Sequence, residues 1–89
     1  MSENGVVEGE FTVRAELGLH ARPAGRFVAL AGRYQAEIEV GRGDEWVNGC
    51  SVLSILSLAA AQGTALRIRA SGAEAEEAVR ELGALIESP

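Results

Sequence analysis

The only histidine of the chain, His20, precedes Arg22 by two residues in the string Gly18-Leu19-His20-Ala21-Arg22-Pro23-Ala24. A neutral imidazole is a nucleophile that can attack a phosphoryl group, whereas a protonated imidazolium cannot. A guanidinium close by can hold the attached phosphate through a charge-assisted hydrogen bond. These residue types at this spacing therefore predict a site that carries a phosphoryl group covalently on His20, with Arg22 as its electrostatic partner.

The string joins a predicted strand to a predicted helix that begins directly after His20. Apolar residues at i, i+3, i+4 and i+7 form the buried stripe of an amphipathic helix, which we expect to end at Gly32. The members of this stripe are Ala24, Phe27, Val28 and Ala31. Pro23 lies in the first turn, where its missing N–H removes no helical bond. Because the first N–H groups of a helix lack carbonyl partners and attract anions, we expect the backbone amides of Ala21 and Arg22 to stabilise a phosphate. The same helix dipole disfavours the imidazolium.

The rest of the chain predicts one domain over residues 1–89 with the element order β-α-β-β-α-β-α. We expect a polar leader over residues 1–8, strands at 10–15, 35–40, 45–48 and 65–70, a helix from Ser51 to Gly63, and a last helix over 71–88. Each predicted strand has one polar and one apolar face. This alternation is typical of an α+β fold whose four-stranded antiparallel sheet carries all its helices on one face.

Composition excludes several classes of function. The net charge of −5 argues against nucleic acid as a partner. The single cysteine, Cys50, forms no internal disulfide and no paired-cysteine metal clamp, so we expect a reducing compartment. We also expect no metal and no cofactor. The first residues do not resemble a signal peptide, and no apolar stretch approaches the roughly 20 residues of a membrane span. We therefore expect a cytoplasmic protein with no membrane partner.

Two motifs identify a family resemblance. The string around His20 resembles the active-site signature of HPr, the histidine-containing phosphocarrier family of the sugar phosphotransferase system. A second string, from Val47 to Leu58 (Val-Asn-Gly-Cys-Ser-Val-Leu-Ser-Ile-Leu-Ser-Leu), also resembles the family, and the likeness covers roughly residues 8–88. The resemblance implies an open-faced β-sandwich of four antiparallel strands and three helices. It also implies a carrier rather than an enzyme, in which His20 accepts a phosphoryl group on Nδ1 from phosphorylated enzyme I and passes it to IIA components.

The second motif leaves two alternatives open at Ser51. The resemblance aligns this residue with a serine that a dedicated HPr serine kinase/phosphorylase modifies in many members, whereas Ser is also a favoured helix N-cap with no further role. Cys50 stands where the family often has a basic residue, which weakens the case for kinase recognition.

The surface beside the histidine is expected to dock partner proteins. Leu53 and Leu56 of the second helix are either core residues or, as the resemblance implies, parts of an exposed apolar docking patch. Ala24 and Arg26 of the first helix are expected to contribute to the same surface. We expect a monomer that makes brief encounters of modest area.

Two other classes of function remain for comparison. One is a regulatory or nitrogen-branch HPr paralogue that acts mainly by protein binding. The other is an acylphosphatase-type enzyme, which needs a phosphate-cradling loop with a catalytic asparagine. The sequence disfavours the enzyme, because the corresponding loop here carries His20 followed closely by Pro23.

Overall fold

The computed structural model describes residues 6–89 of the chain. In chain order these residues form β1 (Val6–Thr12), α1 (Ala21–Ala31), β2 (Glu37–Arg42), β3 (Glu45–Asn48), α2 (Val52–Leu56), β4 (Ala65–Ser71) and α3 (Ala75–Ile86). This is the element order that the sequence predicts. Among these residues no helix has both the length and the apolar character that crossing a membrane requires.

The four strands form one antiparallel sheet in the order β1-β4-β2-β3. Apart from Gly41, which is buried next to Val40, residues on β2 and β4 alternate between a buried face and a more exposed face, as expected for a pleated strand. Helix α3 packs on the inner face against β1 and β4, α1 packs against α3, and α2 packs beside α1 and β3. The predicted α+β open-faced sandwich, with three helices on one face of the sheet, is confirmed.

Three of the four residues in the predicted stripe of α1 are buried in the core, and the fourth, Val28, is half-buried against it. The largest fully buried side chains of the core come from helices, from strands and from the segment after β1: Phe27, Ile55, Leu66, Ile68, Leu82, Val13 and Val40. Gly83 of α3 lies directly against the ring of Phe11, and a Cβ at this position would overlap that ring. The absence of a side chain at Gly83 therefore lets α3 approach β1 closely.

The first strand lies earlier in the chain than the sequence predicts. Val6 to Thr12 pair in continuous register with β4, from Val6 opposite Ser71 to Thr12 opposite Ala65. Residues 6–8 are therefore strand rather than polar leader, and the strand ends before residue 13. The prediction failed because the alternation of charged and small residues before Phe11 looks like a solvated leader until β4 is placed beside it. Residues 1–5 of the predicted leader lie outside the described residues.

The second and third helices are shorter than predicted. Helix α2 ends at Leu56 rather than near Gly63, because the backbone turns away at Ala59, which has a φ of +50°. Helix α3 begins at Ala75 because Ser71 belongs to β4 and Gly72, with a φ of +130°, reverses the chain. The predicted stop of α1 at Gly32 is confirmed, since the Gly32 N–H donates to the carbonyl of Val28 at 3.0 Å.

Candidate functional site

His20 is the N-cap residue of α1. Its backbone is extended, with φ −81° and ψ −169°, and its carbonyl accepts the first helical hydrogen bond from the Ala24 N–H at 2.9 Å. The side chain makes no capping hydrogen bond and is exposed to solvent. The imidazole therefore stands at the start of a helix with its ring nitrogens accessible to another protein.

The backbone beside His20 offers donors for an anion. Within residues 6–89, the amides of Ala21 and Arg22 donate to no protein acceptor, as expected for the first residues of a helix. The first turn of α1 contains no acidic side chain that would compete for these amides. A negative group on His20 would therefore meet unpaired N–H groups and the positive end of the helix dipole.

Two arginines add positive charge to the same place. Arg22 and Arg26 are exposed, lie one helical turn apart, and line with His20 a small cavity of about 120 Å³. None of the side chains that line this cavity is acidic. Neither guanidinium forms an ion pair with a carboxylate of residues 6–89. The charged side chains beside His20 are therefore cationic although the whole chain carries a net charge of −5.

The loop before His20 rests on the segment that follows α2. The Leu19 N–H donates to the carbonyl of Ala60 at 2.8 Å, and the Leu19 side chain is buried. Gly18 has a φ of +75°, and a Cβ there would lie 2.6 Å from the carbonyl oxygen of Ala60. Both the left-handed conformation and the close approach require glycine at this position. The sequence indicates Gly18 as a loop residue but does not reveal which segment it packs against.

Ser51 is the N-cap of α2, as predicted. Its Oγ accepts a hydrogen bond from the Ser54 N–H at 3.2 Å, and the residue is half-buried. Cys50 is exposed, and its N–H donates to Oδ1 of Asn48 at 2.8 Å. The turn over residues 48–51 thus presents Cys50 outward and uses the Ser51 hydroxyl to begin the helix.

The predicted docking residues do not all lie on the surface. Leu53 is 80% exposed and Arg26 is exposed, whereas Leu56 is half-buried against the core. The prediction that Ala24 docks partner proteins is wrong, because Ala24 has no exposed surface and lies on the inward stripe of α1. Leu17 lies in the loop before His20 and is 78% exposed. The sequence does not predict it as a docking residue, because a single leucine in a loop gives no periodic signal.

Comparison with known proteins agrees with this geometry. Residues 7–88 match the family model described as PTS HPr component phosphorylation site. The chain is 44% identical to the phosphocarrier protein HPr of Pseudomonas aeruginosa over 78 residues, which cover 86% of this chain and 87% of that relative. It is 33% identical to the HPr-like protein Crh of Bacillus subtilis over 82 residues, covering 92% of this chain and 96% of Crh.

A solved structure shows the same fold. The crystal structure of a phosphocarrier protein HPr from Bacillus anthracis superimposes with a TM-score of 0.89 at 37% identity, over 93% of this chain and 99% of that one. The fold, the two motifs and the relatives agree over nearly the whole described chain. This chain therefore belongs to the HPr family of phosphocarrier proteins of the phosphotransferase system.

Proposed function

We propose that this chain accepts a phosphoryl group on His20 from phosphorylated enzyme I and passes it to IIA components during sugar uptake. The observation that supports the proposal most directly is the exposed imidazole at the N-cap of α1, next to unpaired amides and two arginines, beside a cavity that no acidic side chain lines. These features suit a phosphoryl carrier in the cytoplasm, where enzyme I and IIA components act.

In the proposed step, neutral His20 keeps its proton on Nε2 and attacks phosphorus with the lone pair of Nδ1. The bond between phosphorus and the donor residue of enzyme I breaks, and its electron pair returns to the donor. The phosphoryl oxygens then face the amides of Ala21 and Arg22 and the Arg22 guanidinium. A helix terminus stabilises one such charge by about 0.3–1 kcal/mol, which favours the phosphorylated state and still permits transfer to the next acceptor.

The proposal predicts that His20 is the only candidate residue that accepts the phosphoryl group from enzyme I. Incubation with enzyme I and phosphoenolpyruvate is expected to give an acid-labile phosphate on the wild-type chain and none on His20→Ala. Ser51→Ala is the matched control and is expected to label as the wild type does. Equal labelling of His20→Ala would exclude this residue as the acceptor.

Arg22 is expected to stabilise the phosphorylated state through its guanidinium. The Arg22→Gln variant removes this charge while keeping a polar side chain, and we expect the equilibrium level of phosphohistidine to fall by about threefold to tenfold. Arg26→Gln is the control, because Arg26 lies one turn further from the N-terminus of α1, and we expect a smaller change. If the two substitutions have equal effects, Arg22 provides no more than general positive charge.

Leu53 is expected to bind enzyme I and IIA components. Because its side chain is 80% exposed, Leu53→Ala removes apolar contact area without removing core packing. We expect KM for this chain as a substrate of enzyme I to rise about threefold to tenfold while the free energy of unfolding stays unchanged. Val6→Ala, which removes an exposed apolar side chain from the outer face of the sheet, is the control. An unchanged KM for Leu53→Ala would place the docking surface elsewhere.

We also propose that Ser51 is a regulatory phosphorylation site, an idea supported by its place in the second motif. Incubation with an HPr serine kinase/phosphorylase and ATP is expected to give an acid-stable phosphate that Ser51→Ala abolishes and Ser54→Ala retains. Labelling at Ser51 without any labelling at His20 would favour a regulatory paralogue over a carrier. If no acid-stable phosphate forms, Ser51 serves only as the N-cap of α2.

A further inference from the structure

Arg42, at the end of β2, binds the chain segment that follows α2. Its Nη1 donates to the carbonyl of Leu58 at 2.8 Å and to the carbonyl of Ala59 at 3.1 Å. Within residues 6–89, the Arg42 side chain forms no ion pair with a carboxylate. Its guanidinium is therefore committed to these two backbone acceptors.

The segment that Arg42 holds has an unfavourable backbone conformation. Ala59 has a φ of +50°, and it is the only residue other than glycine with a positive φ among residues 6–89. The left-handed region costs an L-amino acid roughly 1–2 kcal/mol, so it persists only where surrounding contacts fix it. The hydrogen bond from Arg42 to the Ala59 carbonyl is one such contact.

The same segment supports the loop that carries His20. The residue after Ala59 is Ala60, whose carbonyl accepts the Leu19 N–H at 2.8 Å. Gly18 packs its backbone against that carbonyl and against Ala61. Leu19 directly precedes His20, so the hydrogen bonds run from Arg42 through the 58–60 segment to the residue next to the imidazole.

We propose that Arg42 is a positioning residue for the phosphoryl site. Arg42 does not line the cavity beside His20. It acts through the 58–60 segment, which fixes the position and orientation of the Gly18–His20 loop at the start of α1. Without Arg42, residues 58–60 gain freedom, the bond from Leu19 to Ala60 opens more often, and the imidazole spends less time aligned with the amides of Ala21 and Arg22.

The test compares Arg42→Ala with Arg42→Lys and with Arg33→Ala, which removes an exposed arginine that makes no side-chain hydrogen bond within residues 6–89. Amide hydrogen exchange measures the Leu19 N–H directly, and in Arg42→Ala we expect it to exchange about tenfold faster than in the wild type. In Arg42→Lys, whose ammonium still offers a donor, we expect an intermediate rate. Arg33→Ala is expected to leave the rate unchanged.

Enzyme kinetics supply a second readout, which depends on the proposed phosphorylation of His20. Because the partner-facing surface of α2 is unaltered, we expect kcat for transfer from enzyme I to fall by about threefold to tenfold in Arg42→Ala with little change in KM. Circular dichroism at the assay temperature checks that each variant is folded. If Arg42→Ala is unfolded, the exchange and kinetic measurements are made on Arg42→Lys instead.

The outcomes separate the two proposals. The positioning role would be overturned if the Leu19 N–H exchanged in Arg42→Ala at the wild-type rate. It would also be overturned if this N–H exchanged faster while kcat stayed unchanged. If the wild-type chain takes no phosphoryl group at all, the carrier function fails, and hydrogen exchange at Leu19 alone decides whether Arg42 fixes the loop.

Discussion

At the scale of single residues, the backbone conformations at Gly18 and Ala59 place His20. Gly18 adopts its positive φ without penalty and brings the loop into contact with Ala60. Ala59 adopts a positive φ although it carries a Cβ, and Arg42 binds its carbonyl. Among residues 6–89, Ala59 is thus the one strained L-residue, and it directly precedes Ala60, which binds the loop before His20.

A substitution at Ala59 tests this strain. We expect Ala59→Gly to raise the free energy of unfolding by about 0.5–1 kcal/mol, because relief of the left-handed strain exceeds the extra entropy that glycine gives the unfolded chain. The measurement is urea denaturation followed by circular dichroism. Ala61→Gly, two residues later and without a positive φ, is the control, and it is expected to be destabilising. A loss of stability in both variants would mean that Ala59 is not strained.

At the scale of elements, two glycines inside helices have opposite surroundings. A Cβ at Gly25 of α1 would meet no atom within 4 Å, whereas a Cβ at Gly83 of α3 would overlap the Phe11 ring. Glycine weakens a helix because it loses more backbone entropy than alanine on folding. Packing therefore requires glycine in α3 and does not require it in α1.

These surroundings predict opposite effects of the same substitution. We expect Gly25→Ala to stabilise the chain by about 0.5–1 kcal/mol and to raise Tm by about 3–6 °C. We expect Gly83→Ala to destabilise it by about 1–3 kcal/mol, since α3 must move away from β1. Thermal unfolding of both variants is the measurement, and changes of the same sign would contradict the packing that the structure shows.

At the scale of the whole molecule, side-chain contacts on the outer face of the sheet link all four strands. The ring of Trp46 on β3 covers Gly41 on β2, where a Cβ would lie 2.8 Å from the ring. The guanidinium of Arg69 on β4 lies 3.8 Å from the ring centroid and also bonds Glu39 at 2.7 Å. Arg67 lies 4.6 Å from the same centroid, and its guanidinium also reaches Glu8 on β1, at 3.8 Å. Trp46 on β3 therefore packs against residues of both β2 and β4.

This arrangement predicts cooperative unfolding with Trp46 as its reporter. Since Trp46 is the only tryptophan and contacts residues of β2 and β4, its emission is expected to change with the same urea midpoint as the far-UV circular dichroism. Trp46→Phe identifies the emission that belongs to this residue. Two separate midpoints would show that the outer face of the sheet opens before the helices unfold.

Interactions between residues that are close in the chain made the element order and the candidate site predictable from the sequence. The element order follows from alternating and helical periodicities, and the candidate site follows from a histidine at a strand-to-helix junction with an arginine two residues later. The N-cap role of Ser51 and the stop of α1 at Gly32 depend on residues within one turn of the helix ends. Interactions of this range are visible in the sequence, because the partners lie only a few residues apart.

Only the tertiary structure decided the features that depend on distant partners. The start of β1 at Val6 is set by pairing with Ser71. The packing of the helices decides that Ala24 is buried and that Leu53 is exposed. The support of the His20 loop requires Arg42 to reach carbonyls 16 and 17 residues away. No local pattern encodes such contacts, since strand register and the covered face of a helix are fixed by the segments that pack against them.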